Sequence, residues 1–373
     1  MDKNIKSVLE AIENHGYEAY VVGGYVRDYI RGVKSTDIDI CTNALPKDIN
    51  NIFHTGSTRN DMYGAYKMIT DKYNYEITTY RKELRYEDRK PIEIEYVNNL
   101  ITDIGRRDFT INSLVMNSEG TIIDILNGKE DIINKRIRVI GDMNDRFLED
   151  PLRMLRAIRF GTTLDFTIDN EIIEYIKNNK EMLKTLSIQR IKYELDCILT
   201  SPNLLKGLNL IKELGLCDIL GIKYDKVLYI PDVSGVWAQI EFSNEEIFTK
   251  EEKSNINKIK EIVKIGTIDD HVLFKYGLYL CSVAGNILNI DVVTINEMYQ
   301  KLPITNVKDI KITNNEIISI LNIKPSKVIT EIALDIKNAI LNKTLKNESD
   351  EIKKYIISNK AVWLNEKSNR NIT

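Results

Sequence analysis

Cysteine and histidine are scarce in this chain, four and three among 373 residues. Cys41, Cys197, Cys217 and Cys281 lie far apart with no C-x-x-C pair, so neither a disulfide framework nor a zinc centre is readily built from them. A reducing, cytoplasmic setting is expected. No apolar run approaches the roughly 18 residues that a membrane span requires. The opening MDKNIKSVLEAIENHG also lacks the charged-then-apolar layout of a secretory signal, so neither a membrane protein nor an exported one is expected. Surplus charge is missing as well. The 52 basic and 55 acidic residues leave a formal net charge of -3, which provides no global positive field for a nucleic acid, and DNA is not an expected partner. Any polyanion must be held locally, and residues 301–373 carry about +5 of their own. Proline is sparse, at seven residues, and no repeat or low-complexity tract is present.

What is there is enough apolar material, 43% of residues, for two or three globular units. Short β-branched runs at 20–22, 38–41, 75–80 and 92–97 alternate with helical stretches over the first 125 residues or so. Beyond Glu149 the spacing changes to i, i+3, i+4, as in Leu152, Leu155, Ile158 and Ile191, Leu195, Ile198, which predicts a mostly helical remainder. The fold class is therefore α+β, with a mixed-sheet N-terminal part followed by helices.

Several segments carry chemistry. In Tyr20-Val21-Val22-Gly23-Gly24-Tyr25-Val26-Arg27-Asp28 a strand meets two glycines and then a helical pattern, an arrangement that lets backbone N–H groups approach a phosphate. It is neither a P-loop nor G-x-G-x-x-G, and alone it reads equally well as a structural turn. Asp37 and Asp39 follow on a predicted strand, where i and i+2 share a face about 6.5 Å apart and can converge on divalent cations. Glu76, on a second predicted strand, is a candidate third carboxylate or an edge-strand charge. Arg106 and Arg107 precede an expected helix start with Asp108 as its cap, and arginine forks suit phosphate oxygens. In Glu149-Asp150-Pro151-Leu152-Arg153-Met154-Leu155-Arg156-Ala157-Ile158-Arg159, Asp150, Arg153, Arg156 and Arg159 fall on one half of a helix, and Met154, Leu155 and Ile158 on the other. A carboxylate beside a guanidinium offers matched acceptors and donors to the edge of a base.

Taken in order, GGYVRD, DID, YEITTYRKELRYEDRKP, RRDFTIN, ILNGKEDI and EDPLRMLRAIRF resemble the tRNA nucleotidyltransferases, the CCA-adding enzymes of the bacterial and eukaryotic class, within the poly(A) polymerase group. The likeness is dense over the first 165 residues and looser through 188–195 and 323–326. It implies a polymerase-beta-like nucleotidyltransferase head at 1–126, a helical neck with a nucleotide-selecting helix at 127–200, a helical body at 201–300 and a basic helical tail at 301–373 that binds tRNA. By the same resemblance Asp37 and Asp39 are magnesium ligands, and Gly24, Arg27, Arg107, Asp150, Arg153, Arg156 and Arg159 bind CTP or ATP. The implied reaction is template-independent addition of C, C and A to the tRNA 3′ end, with Mg²⁺ assistance and pyrophosphate release.

The segment Lys82–Pro91 resembles the flexible loop of relatives that complete the final A. Ser113 and Ser326 replace the usual Ala and Gly, with altered packing as the expected effect. Asp270-His271 matches the dipeptide of an appended phosphohydrolase, but no partner histidines follow. Trp237 and Trp363 suit core packing or stacking on bases. Rival readings are a CC-adding or A-adding specialist, a poly(A) polymerase, a noncatalytic RNA-binding protein and a small-molecule nucleotidyltransferase.

Overall fold

Ile5, Leu9 and Ile12 recur at helical spacing and form the buried face of α1 (Lys3–Glu13), which the Asp2 carboxylate caps. β1 (Ala19–Val22) then runs into Gly23, whose φ of 73° lets the chain turn directly into α2 (Gly24–Ile30). In β2 (Asp37–Thr42) the exposed Asp37 and Asp39 alternate with fully buried Ile38 and Ile40, so the period of two holds both acids on one face. After α3 (Pro46–Phe53) come β3 (Ser57–Thr58), β4 (Ala65–Ile69) and β5 (Asn74–Thr79). The chain continues through a two-stranded ribbon, β6 (Arg81–Glu87) and β7 (Lys90–Tyr96), then α4 (Leu100–Gly105), β8 (Val115–Met116) and β9 (Ile122–Ile123). This computed structural model describes residues 1–54, 57–58, 65–87 and 90–370.

Among the described residues one sheet has the order β3-β4-β5-β2-β1-β8-β9. The β2–β5 pair is parallel and its other pairs are antiparallel, the mixed sheet expected. A parallel pair needs a crossover, and residues 43–73 supply it with α3, β3 and β4. The ribbon differs from the loop that the resemblance of Lys82–Pro91 implied. Its strands pair from Arg81↔Tyr96 to Glu87↔Lys90, with register shifts around Arg85, while Asp88 and Arg89 lie outside the described residues.

The expected helix after Arg107 is another difference. α4 ends just before Arg106, and only a 3₁₀ turn, Thr110–Asn112, follows. Asp108 does not cap it, because its carboxylate is taken by Arg156, Asn112 and the Phe109 amide. Helices then dominate: α5 (Gly128–Ile133), α6 (Met143–Glu149), α7 (Leu152–Thr163), α8 (Asn170–Asn179), α9 (Ile188–Leu199) and α10 (Leu204–Glu213).

The chain divides into two units. The first holds residues 1–223 together with Phe242–Ile247, and the second holds Tyr224–Glu241 and the chain from Phe248 onward. The second is mainly helical, with long helices at Lys250–Ile265, Asp270–Leu288, Lys327–Leu341 and Ser349–Arg370. Reciprocal capping boxes, Thr249 with Glu252 and Thr313 with Glu316, start two of its helices. No described helix is long and apolar enough to cross a membrane.

Candidate active site

A cleft of about 700 Å³ opens in the first unit, lined by the Gly23–Gly24 turn, Asp39, the start of the ribbon, the segment after α4, and α7. Eight arginines line it (27, 81, 106, 107, 153, 156, 159 and 190) against four carboxylates, Asp39, Glu83, Asp108 and Asp150. The positive field missing from the whole chain is therefore concentrated here, in a recess where screening by water is weakened. Gly24, Arg27, Arg107, Asp150, Arg153, Arg156 and Arg159, all named from the sequence, are brought together in this one cleft.

Each wall holds its arginines by a different device. Arg27, 8% exposed, donates to Asn112 Oδ1 at 2.8 Å and forks onto Asp28. Asp103, fully buried on α4, takes Arg106 at 2.7 Å and Arg107 at 3.2 Å. Burial would raise its pKa, but the two guanidiniums outweigh that and hold it below the usual aspartate value. Arg107 reaches toward the Gly23 turn, where a Cβ on that glycine would meet Asp39 Oδ2 at 3.3 Å and Arg107 Nη1 at 3.8 Å. The Nε of Arg107 is buried without a hydrogen-bond partner.

The polar half of α7 is less solvated than an amphipathic surface helix would be. Arg153 is 7% exposed. It donates to Glu149 at 2.7 Å and to the backbone oxygens of Arg146 and Arg106 at 2.9 and 3.1 Å. Asp150 is extended rather than helical, and its Oδ1 accepts from the Leu152 amide at 3.1 Å. Its Oδ2 accepts from Arg190 of α9 at 2.6 Å. Arg156 pairs with Asp108, and Arg159 with Glu194, both at 2.6 Å. Burial pushes Asp108 up, yet Arg156, Asn112 and the Phe109 amide together bring it down to about 2. The ring of Phe160 is approached by the guanidiniums of Arg159, Arg156 and Arg27 at 4.1, 5.3 and 5.6 Å.

Asp39 lines the cleft, whereas Asp37 stands beside it on the same strand face, its Oδ1 accepting from Asn74 at 3.0 Å. Desolvation raises the Asp39 carboxyl above the ordinary aspartate value. Arg107 opposes the rise, and the neighbouring Glu76 and Asp37 add to it. Glu76 is the register partner of Asp39 across β2 and β5, outside the cleft lining, with Lys67 Nζ 2.8 Å from its Oε2. Among the described residues no three His, Cys, Asp or Glu side chains converge as a ready metal cage. Two hard carboxylates on one face still fit Mg²⁺, which commonly takes one or two protein carboxylates and completes its shell with phosphate oxygens and water.

Sequence reasoning missed Glu149, Asp103, Glu194 and Arg190 as the partners that fix these side chains. Trp237 is buried at 2% exposure against Phe248, and Trp363 packs near Tyr355, so the packing reading suits both. His271 hydrogen-bonds Asn342 Oδ1 at 2.7 Å.

Three family models match the chain. The Poly A polymerase head domain family matches residues 19–138. The RNA and SrmB-binding site family of polymerase A matches 165–222, and tRNA nucleotidyltransferase domain 2 matches 239–356. The chain is 31% identical to the CCA-adding enzyme of Bacillus cytotoxicus, covering 95% of this chain and 98% of that one. It is 32% identical to the CCA-adding enzyme of Ligilactobacillus salivarius, covering 98% and 97%. In fold it is similar to the Bacillus stearothermophilus CCA-adding enzyme solved in complex with CTP, with a TM-score of 0.83, 24% identity and full coverage of both chains.

Proposed function

Because the chain belongs to the family of CCA-adding tRNA nucleotidyltransferases, we propose that it adds C, C and A in turn to the 3′ end of tRNA, drawing on CTP and ATP. The observation that carries this is the meeting of Asp39, Arg107, Asp150 and Arg153 in one cleft.

In this reading the triphosphate lies against Arg27 and Arg107, and the Gly23–Gly24 turn lets its phosphates come close to the backbone. Asp150 and Arg153 face the base. Cytosine and adenine each present an amino donor beside a ring-nitrogen acceptor on the Watson–Crick edge, and a carboxylate next to a guanidinium is the complement of that pattern. Uracil and guanine present the reverse order, so they would set an acceptor against the carboxylate and a donor against the guanidinium. Arg156 and Arg159 complete the nucleotide site with positive charge.

Asp37 and Asp39 would hold Mg²⁺. Bound there, the metal supplies charge neutralisation and activation of the attacking hydroxyl, on the two-ion pattern of nucleotidyl transfer. The RNA 3′ oxygen forms its bond to the α-phosphorus as the bond to the β-phosphate oxygen breaks, and pyrophosphate leaves in line. No histidine or cysteine nucleophile is required.

The deciding experiment supplies a tRNA transcript ending at its discriminator base with Mg²⁺ and with CTP, ATP or both, and reads product length nucleotide by nucleotide. Three additions that need both substrates support the proposal. Two additions with CTP alone and no further growth would make it a CC-adding specialist. Growth only on a CC-ending tRNA with ATP would make it an A-adding one, and long A tails a poly(A) polymerase.

A further inference from the structure

The sheet face that bears Asp37 and Asp39 continues beyond them, away from the nucleotide cleft. β5 lies beside β2 with Asp37 opposite Asn74 and Asp39 opposite Glu76, and β4 lies beyond with Ile69 opposite Asn74 and Lys67 opposite Glu76. Directly paired residues project to one face, so two rows cross three strands: Asp37, Asn74, Ile69 and Asp39, Glu76, Lys67. Ile69 is 81% exposed, and Lys67 is exposed two positions before it. None of Asn74, Glu76, Lys67 or Ile69 lines the cleft, whereas Asp39 does. Asp39 therefore marks the border between an arginine-lined recess and an open ledge that carries Lys67 and Ile69.

In-line displacement puts the attacking oxygen and the leaving group on opposite sides of the phosphorus. With the triphosphate in the arginine cleft, the attacking strand reaches the aspartates from the β5–β4 side. Glu76 also bears on this. Its Oε2 already has an ammonium at 2.8 Å, which offsets the negative charge that a cation bridging it to Asp39 would draw on.

We propose that this ledge seats the 3′ end of the RNA. Lys67 takes the last phosphodiester, Ile69 packs against the terminal nucleoside, and Glu76 positions Lys67 instead of serving as a third metal ligand. The assignment rests on the nucleotidyltransferase reading above and locates the acceptor strand within it.

The test uses the full chain and two versions of one tRNA, one ending in CC and one trimmed back through the 3′ strand of its acceptor stem so that no 3′ end reaches the aspartates, with affinity measured by fluorescence anisotropy in EDTA so that no metal enters the readout. Lys67→Ala and Ile69→Ser should each weaken binding of the CC-ending RNA about tenfold, the scale of one charge-assisted contact, and leave the trimmed RNA unaffected. The salt dependence of the Lys67→Ala variant should fall by about 0.7–0.9 log unit per log unit, the share of one phosphate, and Lys67→Arg should restore the parent affinity. In turnover, the KM for RNA should rise while the KM for CTP stays within about twofold. Glu76→Gln should shift the RNA KM and leave the Mg²⁺ dependence of kcat in place.

Equal affinity of the parent and both ledge variants for the CC-ending RNA would overturn the ledge. A steep fall in kcat with a raised Mg²⁺ requirement in Glu76→Gln would return Glu76 to the metal site. Failure of the parent protein itself to extend any RNA would instead overturn the function on which the ledge rests.

Discussion

Arg190 and Asp150 are joined by a 2.6 Å hydrogen bond between α9 and the residue two ahead of α7. In the proposed site Asp150 would thus meet a base with Oδ2 already oriented by a guanidinium and Oδ1 by the Leu152 amide. Removing Arg190 should loosen the carboxylate without removing it. In Arg190→Ala, kcat/KM for CTP should fall about tenfold, the scale of one charged hydrogen bond, and misincorporation from UTP should increase. Competition between CTP and UTP in a single reaction reads both effects.

Arg153→Ala should relax or abolish the preference for C and A over U and G, because Arg153 is the donor half of the proposed reading pair. Unchanged discrimination would leave the pair without a role in selection.

Asp39→Ala should lower turnover by about a thousandfold or more, while RNA affinity measured in EDTA stays near that of the parent. A parallel loss of affinity and of cooperative unfolding would point to a folding defect instead.

Asp108 predicts how acid acts on the fold. Its folded-state value, about 2, lies below the ordinary 3.8, so its contribution is fully present above 3.8 and is lost as pH falls toward 2. The contribution is on the order of 2 kcal/mol. Asp108→Asn should be less stable than the parent near neutral pH, and the gap should close between pH 4 and pH 2. Urea unfolding of both proteins across that range would show it, and a gap independent of pH would assign the loss to packing alone.

Gly128 begins α5 where a Cβ would run into the Thr110 carbonyl oxygen and come within 2.9 Å of Leu114 Cδ1. Gly128→Ala should cost about 1–3 kcal/mol through overpacking, visible as a lowered melting temperature.

Strand β2 was legible because the alternation of Asp37, Ile38, Asp39 and Ile40 needs no tertiary information. The apolar face of α7 was legible because the spacing of Met154, Leu155 and Ile158 is a local signal. The ion pairs that fix the site were not. Arg156 finds Asp108 across 48 positions and Arg159 finds Glu194 across 35, and nothing in sequence spacing encodes those encounters. The expected helix after Arg107 failed for the same reason, since Asp108 read locally as a cap is claimed by Arg156 from α7. The β2–β5 register placed Glu76 beside Asp39 as the strand pattern allowed, but Lys67, one strand further out, gave no signal of its own.

Gly23 has little room for change. Its backbone sits at φ 73° and ψ -132°, and an added Cβ would press on Asp39 Oδ2, so any L side chain is strained twice over. Every amino-acid change that one base substitution in a glycine codon can produce introduces a side chain with a Cβ. The position has no neutral neighbours in the genetic code, and a lineage that keeps this enzyme working should carry glycine there regardless of how far the rest of the chain drifts.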